Sequence, residues 1–188
     1  TGLGGTALEP GVPDTHSIVQ NLPALIRAFH NEPGRIRWRF DPILPFMHGS
    51  DPHRRFQQIA EPMARVGVTH CIFSFPTFFS LRGDLRPAFS RAGIPDWSED
   101  DRLQFLEKLS AAAADSGISL ASCAQPSSAI ERLGIVPSAC IDPDWLTAFH
   151  PQKRPLNLKK DPSQRTHCNC VESEDIGNYE TDHCRGGC

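Results

Sequence analysis

An α/β fold with a parallel sheet is the fold class that this sequence predicts, because strand-like apolar runs alternate along it with helical patterns. The runs span residues 35–41, 69–75, 118–123 and 138–142, and a helical pattern follows each of them. A closed eight-stranded barrel of such units takes ~250 residues. The 188-residue chain is therefore predicted to form part of a TIM-like (β/α) barrel, and an open doubly wound sheet is the alternative.

Capping residues mark where the predicted helices begin and end. Asp14 precedes a segment whose apolar residues recur with a helical period, and Asp51 precedes a second such segment. Ser98 and Gly117 are expected to bound a third helix. Two shorter helices are predicted over residues 126–133 and from Pro143 onward.

Composition indicates a single globular domain with a tail. Hydrophobic residues make up 39% of the chain, and the net charge of −3 gives no general attraction to nucleic acid or to anionic membranes. No apolar run reaches the length of a membrane-spanning helix, so no membrane partner is expected. The βα-repeat pattern covers residues 1–149, and residues 150–188 are predicted to form an extended tail. The glycine-rich start without Met and the final cysteine predict truncation at both ends.

Cysteines are the most concentrated chemical feature of the chain. Four of the seven lie in the last 21 residues, as Cys168-Asn-Cys170 and Cys184-Arg-Gly-Gly-Cys188. Tight local groups of this kind are typical of metal ligands or disulfides. A chain of this length can build a core without disulfides, so a reducing cytoplasm with thiolates available for metal is favoured. The remaining three lie in apolar stretches and are predicted to be ordinary core residues: Cys71, Cys123 and Cys140.

The C-terminal cysteines are predicted to bind a metal ion or a cluster. Four thiolates satisfy tetrahedral zinc with no open position, and thiolates are equally the ligands of iron–sulfur clusters. The spacing differs from the paired Cys-x2-Cys knuckles of a zinc ribbon, and free thiols in a polar tail are the alternative. The predicted metal ligands are Cys168, Cys170, Cys184 and Cys188.

Several motifs occur in an order that resembles one known family. They are Arg37-Trp-Arg-Phe-Asp-Pro-Ile43, Cys123-Ala-Gln125, Ala139-Cys-Ile-Asp142, Gln164-Arg165, Cys168-Asn-Cys170 and Glu174-Asp-Ile-Gly-Asn-Tyr179. With the C-terminal cysteines, they make the chain similar over essentially its whole length to an uncharacterised bacterial family. That family is catalogued as domain of unknown function eighteen forty-eight, and the string from Cys168 to Cys188 is the most specific part of the resemblance.

The resemblance implies an iron–sulfur site. In that family the sequence continues past the position of Cys188 with a further cysteine, and the whole resembles the Cys-x3-Cys-x2-Cys signature of radical S-adenosylmethionine enzymes. There, three thiolates hold a [4Fe–4S] cluster whose fourth iron binds S-adenosylmethionine. Cys184 and Cys188 would be the first two cluster ligands. The sequence departs from the family pattern at Gln125, where an acidic residue is usual, and in the longer spacing between Tyr179 and Cys184.

These observations predict an iron–sulfur enzyme similar to the radical S-adenosylmethionine class, acting on an unknown substrate. The alternative is a non-catalytic binding or scaffold protein whose tail is held by a closed four-cysteine zinc site. The two differ in their metal, because the first requires iron with sulfide and the second requires zinc alone.

Charged residues at the predicted strand ends are the candidate catalytic groups. In parallel sheets, active-site side chains project from the carboxyl ends of the strands, and the residues predicted there are Arg39, Asp41, Ser74, Cys123 with Gln125, and Asp142. The candidate catalytic residues among them are Arg39, Asp41 and Asp142. An Arg39–Asp41 pair is predicted to contact a carboxylate or phosphate on a small substrate. Asp before Pro is also a common cap, which is the competing explanation for Asp41 and Asp142.

A long connection, residues 76–97, follows the second predicted strand and interleaves aromatic residues with arginines. Connections of this length are usually lids or binding loops. Aromatic side chains and arginines together also suit stacking on nucleic-acid bases. A lid is favoured, and nucleic acid is the less favoured partner.

Overall fold

The computed structural model of the chain describes residues 2–6, 9–45, 51–76, 93–125, 130–155, 157–164 and 167–174. Helices and strands alternate through these residues, which confirms the α/β class. In chain order they are α1 (Thr15–Ala28), a short 3-10 helix (Pro33–Arg35), β1 (Trp38–Phe40), α2 (Pro52–Arg65), β2 (His70–Phe73), α3 (Glu99–Asp115), β3 (Ser119–Ser122), β4 (Val136–Pro137) and α4 (Pro143–Phe149).

The four strands form one parallel sheet in the order β1-β2-β3-β4, so each strand pairs with the next one in the chain. The register places Trp38 opposite Cys71, Cys71 opposite Leu120, and Ala121 opposite Val136. Among the described strands the sheet is open, with β1 and β4 at its edges. The parallel sheet that the alternating pattern predicted is therefore confirmed, whereas a closed barrel is not formed by these strands.

The predicted position of the fourth strand was wrong. The strand lies at Val136–Pro137 rather than over residues 138–142, and its last ladder contact is the Ser138 N–H donating to the Ser122 carbonyl at 2.8 Å. The backbone of the residues that follow bonds to the tail, where Val171 N–H donates to the Ile141 carbonyl, and their side chains pack on both the sheet and the tail, which is why a strand-like pattern there is not a strand. The predicted helix over residues 126–133 begins outside the described residues, and Ile130 and Glu131 are helical.

The sheet has two different faces. The helices cover one face, where Trp38 and Phe40 of β1 and Phe73 of β2 join apolar residues of α1, α2 and α3 in the main core. Cys71 belongs to this core and is fully buried, as the sequence predicted. The opposite face carries Ile72, Ala121 and Cys123, whose small cluster lies beside the C-terminal tail. Side-chain alternation along the strands thus separates a packed core from the face that holds the polar groups and thiols.

The predicted helix caps are confirmed. The Asp14 carboxylate accepts from Ser17 N–H at 2.9 Å, and the Asp51 carboxylate accepts from His53 N–H at 3.0 Å. The Ser98 hydroxyl accepts from Asp101 N–H at 3.1 Å at the start of α3. Each side chain satisfies a backbone donor that the first helical turn leaves without a partner, so each helix begins where the sequence indicated. In the described part of the chain, no helix is long and apolar enough to cross a bilayer.

Two glycines end α2 and α3 in the same backbone motif and allow a matched prediction. Gly67 and Gly117 both have positive φ angles, but a Cβ on Gly67 would lie 2.9 Å from Pro33 Cγ, whereas one on Gly117 would meet open space. Left-handed backbone costs a residue with a side chain about 1–2 kcal/mol. We expect Gly117→Ala to lower the free energy of unfolding by this amount and Gly67→Ala by more, measured by urea denaturation. Equal losses of unfolding free energy would show that Pro33 can move away from the new methyl group at no energetic cost.

Candidate functional site at the carboxyl edge of the sheet

All four strands end at the same edge because they are parallel, and this edge carries the candidate site. Asp41 follows β1, Ser74 follows β2, and Cys123 follows β3 directly. Ser138 follows β4 and leads to Cys140 two residues later. Ligand-binding groups of open parallel sheets and of barrels gather at this edge.

The predicted Arg39–Asp41 pair is present and includes a third residue. The Arg39 guanidinium and the Ser74 hydroxyl each donate to one oxygen of the Asp41 carboxylate. Ser74 is buried, whereas half of the Arg39 side chain is exposed. Partial burial by itself lowers the pKa of Arg39, but the charge and hydrogen bond of Asp41, together with the nearby sulfurs of Cys140 and Cys123, outweigh that effect and the net pKa is raised. Arg39 thus stays charged, and half of its side chain is open to solvent, where an anion could approach it.

The competing explanation of Asp41 as a helix cap does not describe its contacts. Its two carboxylate oxygens accept from Arg39 and Ser74, and the next helix begins ten residues later at α2 with its own cap, Asp51. Asp41 therefore serves to orient the Arg39 guanidinium and does not cap a turn.

Asp142 has a different role in the structure. One oxygen accepts from Asp144 N–H and Trp145 N–H at 3.0 and 3.2 Å, which caps α4, and the other accepts from Arg37 at 2.8 Å. Burial raises the pKa of the Asp142 carboxyl, but the Arg37 hydrogen bond and the backbone donors outweigh it, so the net pKa lies below its usual range. The cap explanation is therefore confirmed for Asp142, while a catalytic role for it stays a prediction.

Four cysteines meet at this edge, and we call them the cysteine cluster: Cys123, Cys140, Cys168 and Cys170. The Sγ atoms of Cys123 and Cys140 are 3.6 Å apart. Cys170 Sγ accepts from the backbone N–H groups of Cys140 and Ile141 at 3.2 and 3.4 Å. All four are free thiols, and Cys168 and Cys170 are buried although they belong to a polar tail.

Backbone hydrogen bonds bring the tail to this position. Lys160 and Val171 form an antiparallel bridge, flanked by Asp161 N–H donating to the Cys170 carbonyl and Glu172 N–H donating to the Lys159 carbonyl, both at 3.0 Å. Val171 N–H also donates to the Ile141 carbonyl at 3.2 Å. The tail therefore doubles back on itself and docks on the segment that follows β4, which fixes the two tail cysteines beside the other two.

The surroundings of the cysteine cluster raise the pKa values of Cys140 and Cys168. The hydrogen bond with Cys123 and burial raise the pKa of Cys140, and the nearby charge of Arg39 opposes them. Burial is also the main cause of the raised pKa of Cys168. The neutral thiol is thus the favoured form of Cys140 and of Cys168 in this arrangement. Across the described residues, no three Cys, His, Asp or Glu side chains are already placed to hold a metal ion together.

The sequence interpretation missed half of this cluster. Cys123 and Cys140 were predicted to be ordinary core residues, and Cys123 is indeed buried, but both thiols contact the cluster. The signal that could have found them is their position, since each follows a strand at the same edge. Ala124, with φ of 51°, adds a left-handed residue directly after Cys123, a conformation that is uncommon without glycine.

Other predicted elements of the site lie outside the described residues. These include Cys184 and Cys188, so the predicted ligand set of Cys168, Cys170, Cys184 and Cys188 stays a prediction. Most of the predicted lid over residues 76–97 also lies outside them, although Trp97 is described and donates from Nε1 to the Ile43 carbonyl at 2.9 Å. Gln125, where the resemblance implied an acidic residue, donates to the carbonyls of Cys123 and Ala124 at 3.3 and 3.4 Å.

Fold and site together define an α/β protein with a parallel sheet whose carboxyl edge holds an Arg–Asp–Ser network and a cysteine cluster. The chain matches the family described as domain of unknown function (DUF1848) over residues 2–188 and belongs to that family. No curated protein and no solved structure shows significant similarity to it.

Proposed function

We propose that the protein is an iron–sulfur enzyme similar to the radical S-adenosylmethionine class, acting on a small substrate at the carboxyl edge of the sheet. The observation that carries the proposal is the docking of the cysteine-bearing tail at this edge, where Val171 N–H donates to the Ile141 carbonyl. The tail is thereby held on the part of the fold where parallel sheets place their reacting groups.

The strand order supports a TIM-like architecture as part of the same proposal. A doubly wound sheet reverses its strand order at a switch point, whereas a barrel adds each strand beside the previous one. The order β1-β2-β3-β4 is sequential, and apolar residues of the helices pack on one face of the sheet. We propose that these units are part of a TIM-like (β/α) barrel, with the cysteine-cluster face turned toward its interior.

In this proposal, one group of residues binds the substrate and another binds the cluster. The exposed part of the Arg39 guanidinium binds a carboxylate or phosphate of the substrate, and Asp41 with Ser74 fixes the orientation of that guanidinium. Thiolates are the ligands that iron–sulfur clusters use, and Cys184 and Cys188 are the proposed ligands, with a third cysteine beyond Cys188. A cluster bound there would supply the site at which S-adenosylmethionine coordinates iron.

The test is elemental analysis of anaerobically purified protein, on a chain extended past Cys188 and on its Cys184→Ser/Cys188→Ser variant. We expect iron and acid-labile sulfide in the extended chain, loss of both in the variant, and cleavage of added S-adenosylmethionine by the reduced parent only. The Cys71→Ala variant is the matched control, because Cys71 lies in the main core on the helix-covered face. Zinc without iron in the extended chain would refute the proposal.

A non-catalytic scaffold is the second candidate, and one observation favours it. Cys168 and Cys170 are buried and pack against Cys140, and a closed set of thiolates leaves no position for a substrate. If the protein is such a scaffold, any carboxylate or phosphate compound that shifts the melting temperature of the parent protein should shift that of Arg39→Met by the same amount. The enzyme proposal expects at least one such compound to stabilise the parent protein and to lose its effect in Arg39→Met.

A further inference from the structure

The cysteine cluster joins three segments that are distant in sequence. Cys123 comes from the end of β3, Cys140 from the segment after β4, and Cys168 and Cys170 from the tail. One contact links two thiols directly, namely the 3.6 Å separation of the Cys123 and Cys140 Sγ atoms. Cys168 and Cys170 pack together and against Cys140, and Cys170 Sγ accepts the Cys140 N–H at 3.2 Å, so the tail cysteines adjoin the other pair.

We infer that Cys123, Cys140, Cys168 and Cys170 are the four ligands of one zinc ion, in a site that does not include Cys184 and Cys188. Zinc–sulfur bonds of about 2.3 Å in tetrahedral geometry place two sulfurs about 3.8 Å apart. The Cys123 and Cys140 sulfurs, at 3.6 Å, already have this separation. Thiolates on different irons of a cubane lie farther apart because iron and sulfide atoms intervene, so the contact favours a single ion.

The surroundings of the cluster suit thiolate ligands. Cys170 Sγ accepts two backbone N–H groups, from Cys140 and Ile141, and hydrogen bonds of this kind stabilise a coordinating sulfur. The positive charge of Arg39 also interacts with the sulfurs of Cys123 and Cys140. Backbone donors and a guanidinium together offset the net negative charge that four thiolates and one divalent ion would have.

Metal binding would replace the contacts between thiols by contacts with the ion. The Cys123 and Cys140 thiols now contact each other, and within the described residues the four side chains do not converge on a common point. Zinc would enter by forming four Zn–S bonds, while four S–H protons pass to solvent and the ion gives up its bound water. The four sulfurs would reach one ion by rotation of thiol side chains about their Cα–Cβ bonds, a movement that does not require the backbone hydrogen bonds of the docked tail to change.

Such a site has a structural role. Four protein ligands leave no open position on zinc, so the ion would tie the ends of β3 and β4 to the tail without taking part in a reaction. This inference is independent of the proposed enzyme function, because it concerns neither Cys184 nor Cys188. It changes two of the four zinc ligands that the sequence predicted.

The experiment uses the Cys184→Ser/Cys188→Ser double variant of the chain, which leaves five cysteines. One of these, Cys71, lies on the opposite, helix-covered face, so a four-thiolate site in this variant can only be the cysteine cluster. Protein purified with reductant is analysed for zinc, iron and sulfide, and its cobalt-substituted form is examined by absorption spectroscopy. We expect about one zinc per chain and the intense bands of tetrahedral four-thiolate cobalt.

Two further substitutions in that background complete the test. Cys71→Ala should keep the metal and the cobalt spectrum, and Cys140→Ser should lower metal affinity at least about tenfold. If Cys140→Ser does not fold, the spectrum of the double variant with its intact cluster decides. Zinc well below one per chain, a cobalt spectrum with fewer thiolates, iron with sulfide, or a Cys123–Cys140 disulfide in that double variant would each overturn the inference.

Discussion

Replacing Phe56 with alanine is expected to lower the free energy of unfolding by about 3–5 kcal/mol, the usual cost of removing a buried aromatic ring. Phe56 is fully buried in α2 and stacks on Trp38 of β1, with ring centroids 5.1 Å apart. It also meets the ring of Phe40 edge to face at 5.4 Å. Its removal would leave a cavity between α2 and β1, because the neighbouring rings are held by the strand and cannot close around it.

Phe29→Ala is the matched control for this prediction. Phe29 ends α1 with 41% of its surface exposed, so the same chemical change there should cost about 1 kcal/mol or less. Both variants are measured by urea denaturation followed by circular dichroism. If both variants lost a similar amount of unfolding free energy, the contact of Phe56 with Trp38 and Phe40 would not be a main source of core stability.

Replacing Arg37 with methionine is expected to cost about 2–3 kcal/mol, somewhat less than a fully buried ion pair because the site is partly exposed. Arg37 donates to the Ala139 carbonyl at 2.6 Å and to Asp142 at 2.8 Å, and its guanidinium lies over the Trp145 ring. Without it, the carbonyl and the carboxylate lose a charged donor. Arg65→Met, which breaks an exposed pair with Glu61, should change stability by less than about 1 kcal/mol.

The effect of Arg37→Met should depend on pH. The pKa of Asp142 is lower in the folded protein than its ordinary value of 3.8, so the pair stabilises the fold fully above that value. Its contribution is lost as the pH falls through the folded-state pKa. The difference in unfolding free energy between the parent and Arg37→Met should therefore be constant near neutral pH and shrink in acid. A difference that stays the same in acid would show that Asp142 is not the partner that matters.

Much of the fold follows from local features of the sequence. Asp14, Asp51 and Ser98 cap helices as predicted, because capping depends on one side chain and the next few backbone N–H groups. The first three strands lie within the predicted runs, since alternation along β1 and β2 directly reflects which face is buried. These are local properties, and a single sequence records them well.

The features that were missed depend on contacts between distant segments. The run Ala139-Cys140-Ile141 has the apolar character of a strand, but its partner is the tail rather than the sheet. Cys123 and Cys140 were predicted to be core residues, and their relation to Cys168 and Cys170 exists only after the tail has folded back. Arg39, Asp41 and Ser74 were each predicted at strand ends, whereas the hydrogen bond from Ser74 to Asp41 joins two different strands and was not predicted. Long-range pairing has no local signature, so a single sequence does not contain it in readable form.

The bonds of Arg37 also have a consequence for the order of events during synthesis. Arg37 and its acceptor Ala139 are separated by 102 residues, so the ribosome must complete most of the chain before this bond can form. Closing so long a loop is slow and comes late in folding. The segment around Arg37, at the start of β1, therefore stays without this bond until the segment after β4 emerges. A nascent chain halted before residue 139 should be cleaved by protease near residue 37 faster than the released protein.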